Sequence, residues 1–262
     1  MTVWEGILLG LLQGLTEFLP ISSSGHLVLG EHLLGIHAED ITFEVFVHFG
    51  TTLSVLTYFR RELAELIRSA IRWTQNPVAG PEREAVRWIG YLALSAVPAA
   101  CVGLAFEEQV ERLFSSPRLV AGMLLVTGTL LWLVRFRRRP GGPLSAWKAL
   151  LIGLAQAVAI TPGISRSGAT VAMALYLGVE REEAARFSFL MLLPVVMGAT
   201  LLKALRIGSE PISWAPIFLG TGVAYLSGLV AIHTLLVVLR RGRLEWFALY
   251  CYLVGLIGLW KL

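Results

Sequence analysis

The sequence predicts an all-α polytopic membrane protein, built as two inverted-topology repeats with about six transmembrane helices and two re-entrant helical hairpins. Three observations carry this expectation. The 262 residues are 56% hydrophobic and only 15% charged, with a mean hydropathy of +0.70; a soluble domain averages about 45–50% apolar and about 25% charged residues. Arginines gather at the ends of apolar runs, as in the cytoplasmic loops of membrane proteins. A polar knot occurs twice, as PISSSG at 20–25 and PGISRSG at 162–168, each time between short apolar stretches. The chain reads as one membrane domain, 1–262, with repeat 1 about 1–117 and repeat 2 about 118–262.

Residues 3–19 and 24–36 are short and are interrupted by Pro20 and the serines, so they form the first hairpin. Spans follow at 42–59, 87–106 and 118–134, each near the roughly 20 residues that cross the hydrocarbon core. Residues 145–160 and 167–178, interrupted by TPGISRSG, form the second hairpin, and spans at 184–205, 213–238 and 244–262 complete the chain. Proline removes a helical hydrogen bond and glycine weakens the helix. Irregular backbone at membrane depth is tolerated only where protein or a wet cavity surrounds it. The halves match beyond the knots: Gln13 and Gln156 precede the breaks, and FGTTL (49–53) has a counterpart in MGATLL (197–202). Halves of three spans each have opposite topology, and paired broken segments are the best sequence pointer to a site.

Charge supplies the orientation. Arg60, Arg61, Arg68, Arg72 and Arg83 lie in the loop 60–86, RFRRR at 135–139 and RRGR at 240–243, whereas the loop 107–117 is acidic through Glu107, Glu108 and Glu111. Alternating six spans puts the three basic loops on one side, the cytoplasmic one, with both termini outside; Lys203 and Arg206 run weakly against this. The same clustering explains the net charge of +4 and pI near 9.3 without nucleic acid. Cys101 and Cys251 sit inside apolar runs and read as inert packing. The first residues lack a basic region and a small-residue cleavage site, so no removable signal peptide is expected.

The knots carry the chemistry. Gln13 and Glu17 are four residues apart and share a helix face, and an intramembrane carboxylate points to function. Of Ser22, Ser23 and Ser24, one suffices as a helix N-cap; three hydroxyls at a helix N-terminus suit an anion. His26 follows Ser23 by three residues, the minimal pairing for an activated nucleophile. Arg166 lies in an apolar region and needs an anionic partner; its planar fork suits phosphate, although an ion pair with Glu17 tying the hairpins together is an alternative. Ser165, Ser167 and Thr170 add hydroxyls, and Gly163 and Gly168 permit close approach of the backbone. His48 and Glu44 read as supporting residues, His233 as packing, and 180–186 as a solvated helix start.

LLQGLTEFLPISSSGHL and PGISRSGATVAMALYLGVEREEAARFSFLMLLPVVMGAT closely resemble the two signature regions of the bacterial undecaprenyl-pyrophosphate phosphatase family of the bacitracin-resistance type. The resemblance covers essentially the whole chain, including TFEVFVHFGTTLSVL. It implies hydrolysis of undecaprenyl pyrophosphate to undecaprenyl phosphate and inorganic phosphate, recycling the lipid carrier for peptidoglycan. It also implies the bacterial inner membrane, a site facing the periplasm, and a divalent cation, Mg2+ or Ca2+. Carried over by position, Gln13 and Glu17 fill the metal-binding motif, with Glu17 as ligand or base. Ser23 becomes the nucleophile candidate, His26 its proton partner, and Arg166 with Ser165, Ser167, Gly168 and Thr170 the pyrophosphate site, joined by Ser22 and Ser24. Many relatives have Glu where this chain has Gln13, so a metal would be held mainly through the substrate's phosphates.

Either Ser23 attacks the terminal phosphorus, or Glu17 or His26 activates water while Ser23 orients; the residues do not separate these routes. A second class, a polyprenyl-phosphate flippase, fits the same inverted-repeat cavity. The expected partners are the polyprenyl pyrophosphate and membrane lipid, with a homodimer an open alternative and nucleic acid excluded.

Overall fold

The computed structural model describes residues 1–34, 41–75, 77, 80–136, 142–204 and 213–262. The described residues form helices α1 (Val3–Phe18), α2 (Ser23–Leu34), α3 (Ile41–Tyr58), α4 (Arg60–Gln75), α5 (Pro81–Ala105), α6 (Glu107–Phe114) and α7 (Pro117–Leu133). After a 3-10 turn at Val134–Phe136 come α8 (Ala146–Val158), α9 (Arg166–Tyr176), α10 (Arg181–Leu190), α11 (Leu192–Ala204), α12 (Trp214–Arg241) and α13 (Glu245–Lys261). By length and composition, three of these are long and apolar enough to cross a membrane: α5, α7 with its 3-10 continuation, and α12. They contain three of the six expected spans. Two others correspond to α3, of 18 residues, and α13, of 17.

The remaining expected span, 184–205, is not one helix. It divides at Met191 into α10 and α11. Pro194 has no N–H to give the Leu190 carbonyl, and its ring crowds that oxygen. Two segments expected as loops are helical. Residues 60–75 form α4, with Arg60, Arg61, Arg68 and Arg72 exposed while Leu63 and Leu66 rest against the core. Glu107–Phe114 form α6. Arg206 and 137–139 lie outside the described residues.

The first arms of the two hairpins cross over. α1 packs chiefly on α12, and α8 chiefly on α5. Small residues let the backbones approach: a Cβ at Gly10 would sit 2.2 Å from the Gly220 oxygen, and one at Gly153 would sit 2.5 Å from the Ser95 oxygen. Gly6, Gly10 and Gly14 are one turn apart, the small-residue spacing of close helix pairs in membranes. α3 also packs on α12, and α7 on α13. The largest core cluster surrounds the second hairpin, where Phe18 meets Phe189 edge to face at 5.6 Å. The outside is greasy: Leu104, Leu226, Val230 and Leu253 are each about 60% exposed. A continuous apolar exterior of this kind needs lipid or another apolar cover.

Candidate functional site

Both hairpin turns are made by a proline or glycine followed by a capping serine. Leu19, which ends α1, is extended, as the residue before Pro20 must be. Ser22 then takes a positive φ of 70°, and its Oγ accepts from Gly25 N at 3.2 Å, capping α2. Ser165 does the same for α9, its Oγ accepting from Gly168 N at 3.0 Å. Gly163 has φ 90°, and a Cβ there would strike the Val120 oxygen at 2.4 Å, so only glycine fits the turn. Thr127 of α7 clamps this loop, donating to Gly163 O at 2.8 Å and accepting from Ser165 N at 2.9 Å. The tips touch: a Cβ on Gly25 would lie 3.2 Å from the Gly163 Cα.

Aligning ISSSG (21–25) with ISRSG (164–168) makes Ser23 and Arg166 equivalent, each the first residue of its helix. Both converge on Glu17. Ser23 Oγ donates to Glu17 Oε2 at 2.5 Å, and Gln13 Nε2 donates to the same oxygen at 3.0 Å. Arg166 Nη2 pairs with Glu17 Oε1 at 2.5 Å. The carboxylate therefore stands between two helix N-termini, each carrying partial positive charge and free backbone donors. A cavity of about 40 Å³ opens here, lined by Glu17, Ser22, Ser23, Ser24, Ser165 and Arg166 with Ala159 and Ile164. Two buried polar atoms beside it have no hydrogen-bond partner: Arg166 Nη1 and Gln13 Oε1. The ion pair foreseen as an alternative is formed, yet it leaves half of the guanidinium fork unused.

The other expected residues are held around this centre. Ser24 Oγ lies 3.3 Å from Ser22 Oγ. Ser167 Oγ lies 3.2 Å from Ser165 Oγ and donates to Leu19 O at 3.1 Å, tying one hairpin to the other. Thr170 turns away from the cavity, with Oγ1 on Arg166 O at 2.8 Å and on Ser188 Oγ at 2.6 Å. Gly168 packs against Pro20. His26 is not beside the Ser23 hydroxyl. Its Nδ1 is 2.8 Å from Ser22 O, its Nε2 is 2.8 Å from Tyr250 OH, and the two rings stack. His48 hydrogen-bonds the Glu44 carbonyl one turn back at 2.8 Å, and His233 lies 3.4 Å from Tyr58 OH. Arg186 departs from a solvated helix start: it pairs with Glu62 of α4 and lies over the Trp88 ring at 4.8 Å.

Thr127, Ser188 and Tyr250 were missed in the sequence. Each is a hydroxyl within a helix, and such a group looks the same whether it bonds its own helix backbone or a distant partner. A cation is a further question of fit. Among the described residues no three His, Cys, Asp or Glu side chains gather as a metal cage. Glu17 supplies one carboxylate, and Gln13 turns its amide nitrogen toward it at 3.0 Å while its Oε1 is buried without a partner; so small an oxygen set suits a magnesium-like ion that keeps its remaining ligands as waters and substrate phosphates.

Comparison with known proteins gives a consistent result. The family model described as bacitracin resistance protein BacA matches residues 6–257. The undecaprenyl-diphosphatase of Salinibacter ruber is 51% identical over 270 residues, covering 100% of both chains. Those of Halothermothrix orenii and Syntrophotalea carbinolica are each 44% identical, covering 98% and 97% of this chain and 97% of their own.

Proposed function

This chain belongs to the BacA family of bacitracin resistance proteins, and on that premise we propose that it is an undecaprenyl-diphosphatase, a multi-pass membrane enzyme that releases inorganic phosphate from undecaprenyl pyrophosphate. The observation that carries the site assignment is the convergence of Ser23 and Arg166, from equivalent turns of the two hairpins, on the single carboxylate of Glu17.

In the resting site Glu17 occupies the position that two helix N-termini offer to an anion. The terminal phosphate of the substrate competes for Arg166, whose second nitrogen is already unpartnered. Guanidinium and phosphate pair in a planar, bidentate way, and Glu17 is left with Ser23 and Gln13. Its Oε2 is then the base that receives the Ser23 proton. Ser23 Oγ forms a bond to the terminal phosphorus, and the bond from that phosphorus to the bridging oxygen breaks, releasing undecaprenyl phosphate. The oxygen of a water molecule then bonds to the phosphorus of the phosphoserine and the bond to Ser23 Oγ breaks; Ser23 takes back the proton held on Glu17, and the water's protons leave with the phosphate. Arg166 and the N-termini of α2 and α9 offset the charge on the transferred group, which is most of what catalyses phosphoryl transfer. The commitment of both His26 nitrogens to Ser22 and Tyr250 favours Glu17 over His26 as the proton acceptor and gives His26 the role of bracing the Ser22 turn. Glu17 and Gln13 would hold a divalent cation, which neutralises phosphate charge when bound.

The inverted-repeat reading is supported by the crossed packing of α1 on α12 and α8 on α5 and by matching caps at Ser22 and Ser165. The deciding experiment is phosphate release from undecaprenyl pyrophosphate by detergent-solubilised protein. Activity is expected in wild type and is expected to fall on adding chelator and in Glu17→Ala. A flippase without hydrolysis would release no phosphate in this assay, because transport needs two compartments.

A further inference from the structure

A second cavity, of about 250 Å³, begins at His26, three residues along α2 from Ser23. Leu12, Leu29 and Gly30 of the first hairpin form one wall, and Val254 and Ile257 of α13 form the other. His26 closes the near end. Its two ring nitrogens are hydrogen-bonded, so it adds ring carbon rather than free polar atoms to the wall. Lys261 stands at the groove too and is exposed; its methylene stem can lie along an apolar wall while the ammonium stays in water. The groove and the polar cavity are joined by α2 itself. Ser23 begins that helix in the polar cavity, and Gly30, seven residues on, lies in the groove, about 10 Å away at 1.5 Å per residue.

We propose that this groove holds the first isoprene units of the substrate's tail and so sets which prenyl diphosphates are turned over efficiently. This rests on the phosphatase reading above. The substrate is an amphiphile, and the two cavities match its two ends: helix N-termini, serines and Arg166 for the pyrophosphate, carbon walls for the chain. A cavity of roughly 150 Å³ accommodates one benzene molecule, so this volume takes about two five-carbon units. The rest of the tail lies in lipid. Ile257 is half exposed in the groove wall, so a larger side chain there fills the groove without disturbing the core.

The test compares dimethylallyl, geranyl and farnesyl diphosphates as substrates for wild type and Ile257→Trp, read as kcat/KM. The variant is expected to lose at least about tenfold on the farnesyl compound while staying within about twofold on the five-carbon one, the scale at which apolar pocket contacts discriminate substrates. An equal change on all three, or no change, would overturn the groove assignment and leave the phosphatase reading standing. If wild type turns over none of the prenyl diphosphates, undecaprenyl pyrophosphate included, it is the phosphatase reading that fails. A farnesyl diphosphate carrying a diazirine on its second isoprene unit gives an independent binding readout on wild-type protein. Label on Leu12, residues 24–34 or 245–262, displaced by unlabelled farnesyl diphosphate, supports the assignment even if Ile257→Trp does not fold. Displaceable label elsewhere, or label in the groove that no prenyl diphosphate displaces, overturns it in favour of an ordinary lipid contact.

Discussion

At the scale of the residue, Glu17 joins the two hairpin tips, and in the proposed mechanism it is the base. Gln13, Ser23 and Arg166 all donate to it, so each loss has a distinct expected effect. Removing the guanidinium in Arg166→Ala takes away a preorganised charge aimed at the phosphate and is expected to lower kcat by about 10² to 10³. Arg166→Lys should recover only part of this, since an ammonium is a point charge without the planar fork. Steady-state phosphate release on the three proteins measures both; near-normal turnover in Arg166→Ala would remove this residue from the phosphate site. Acid quench is expected to trap a phosphoenzyme in wild type and none in Ser23→Ala. Glu17 and Arg166 were both identifiable in the sequence, because a charge in an apolar run needs a reason. That each is the other's partner, 149 positions apart, was one of two readings, and only contact distances decide it.

At the scale of the element, the decisive contact is the glycine face of α1 on α12. A methyl at Gly10 has backbone, not a flexible side chain, at 2.2 Å, so the helices must separate. Gly10→Ala is expected to destabilise by about 1–3 kcal/mol, the usual cost of overpacking. Gly90 on α5 is the control: nothing lies within 4 Å of an added Cβ, and Gly90→Ala should stabilise by about 0.8–1 kcal/mol through helix propensity alone. Thermal unfolding in detergent reads both, with opposite signs expected. The hairpin breaks were legible because proline and glycine act locally. The division of α10 from α11 was less so, since the apolar run hides Pro194, and α4 was read as a loop because its arginines outweighed its spaced Leu63 and Leu66.

At the scale of the whole molecule, the basic α4 and the acidic α6 lie at opposite ends of α5, one of the three helices that suffice to span. The positive-inside rule predicts that α4 lies on the cytoplasmic side. In a Cys101→Ser background, a membrane-impermeant maleimide added to intact cells is therefore expected to label Glu108→Cys and to miss Arg68→Cys; the reverse pattern would invert the topology and turn the site toward the other face. By itself the sequence determined the membrane class, the two broken segments and the residue types of the candidate site, because composition, prolines and charges in apolar runs act within a few residues. Only the tertiary structure decided that Ser23 faces Glu17 rather than His26, that Tyr250 and Thr127 brace the two turns, and that an apolar groove adjoins the polar cavity. Those outcomes depend on how helices distant in sequence cross, which close glycine packing sets and short-range pattern does not record.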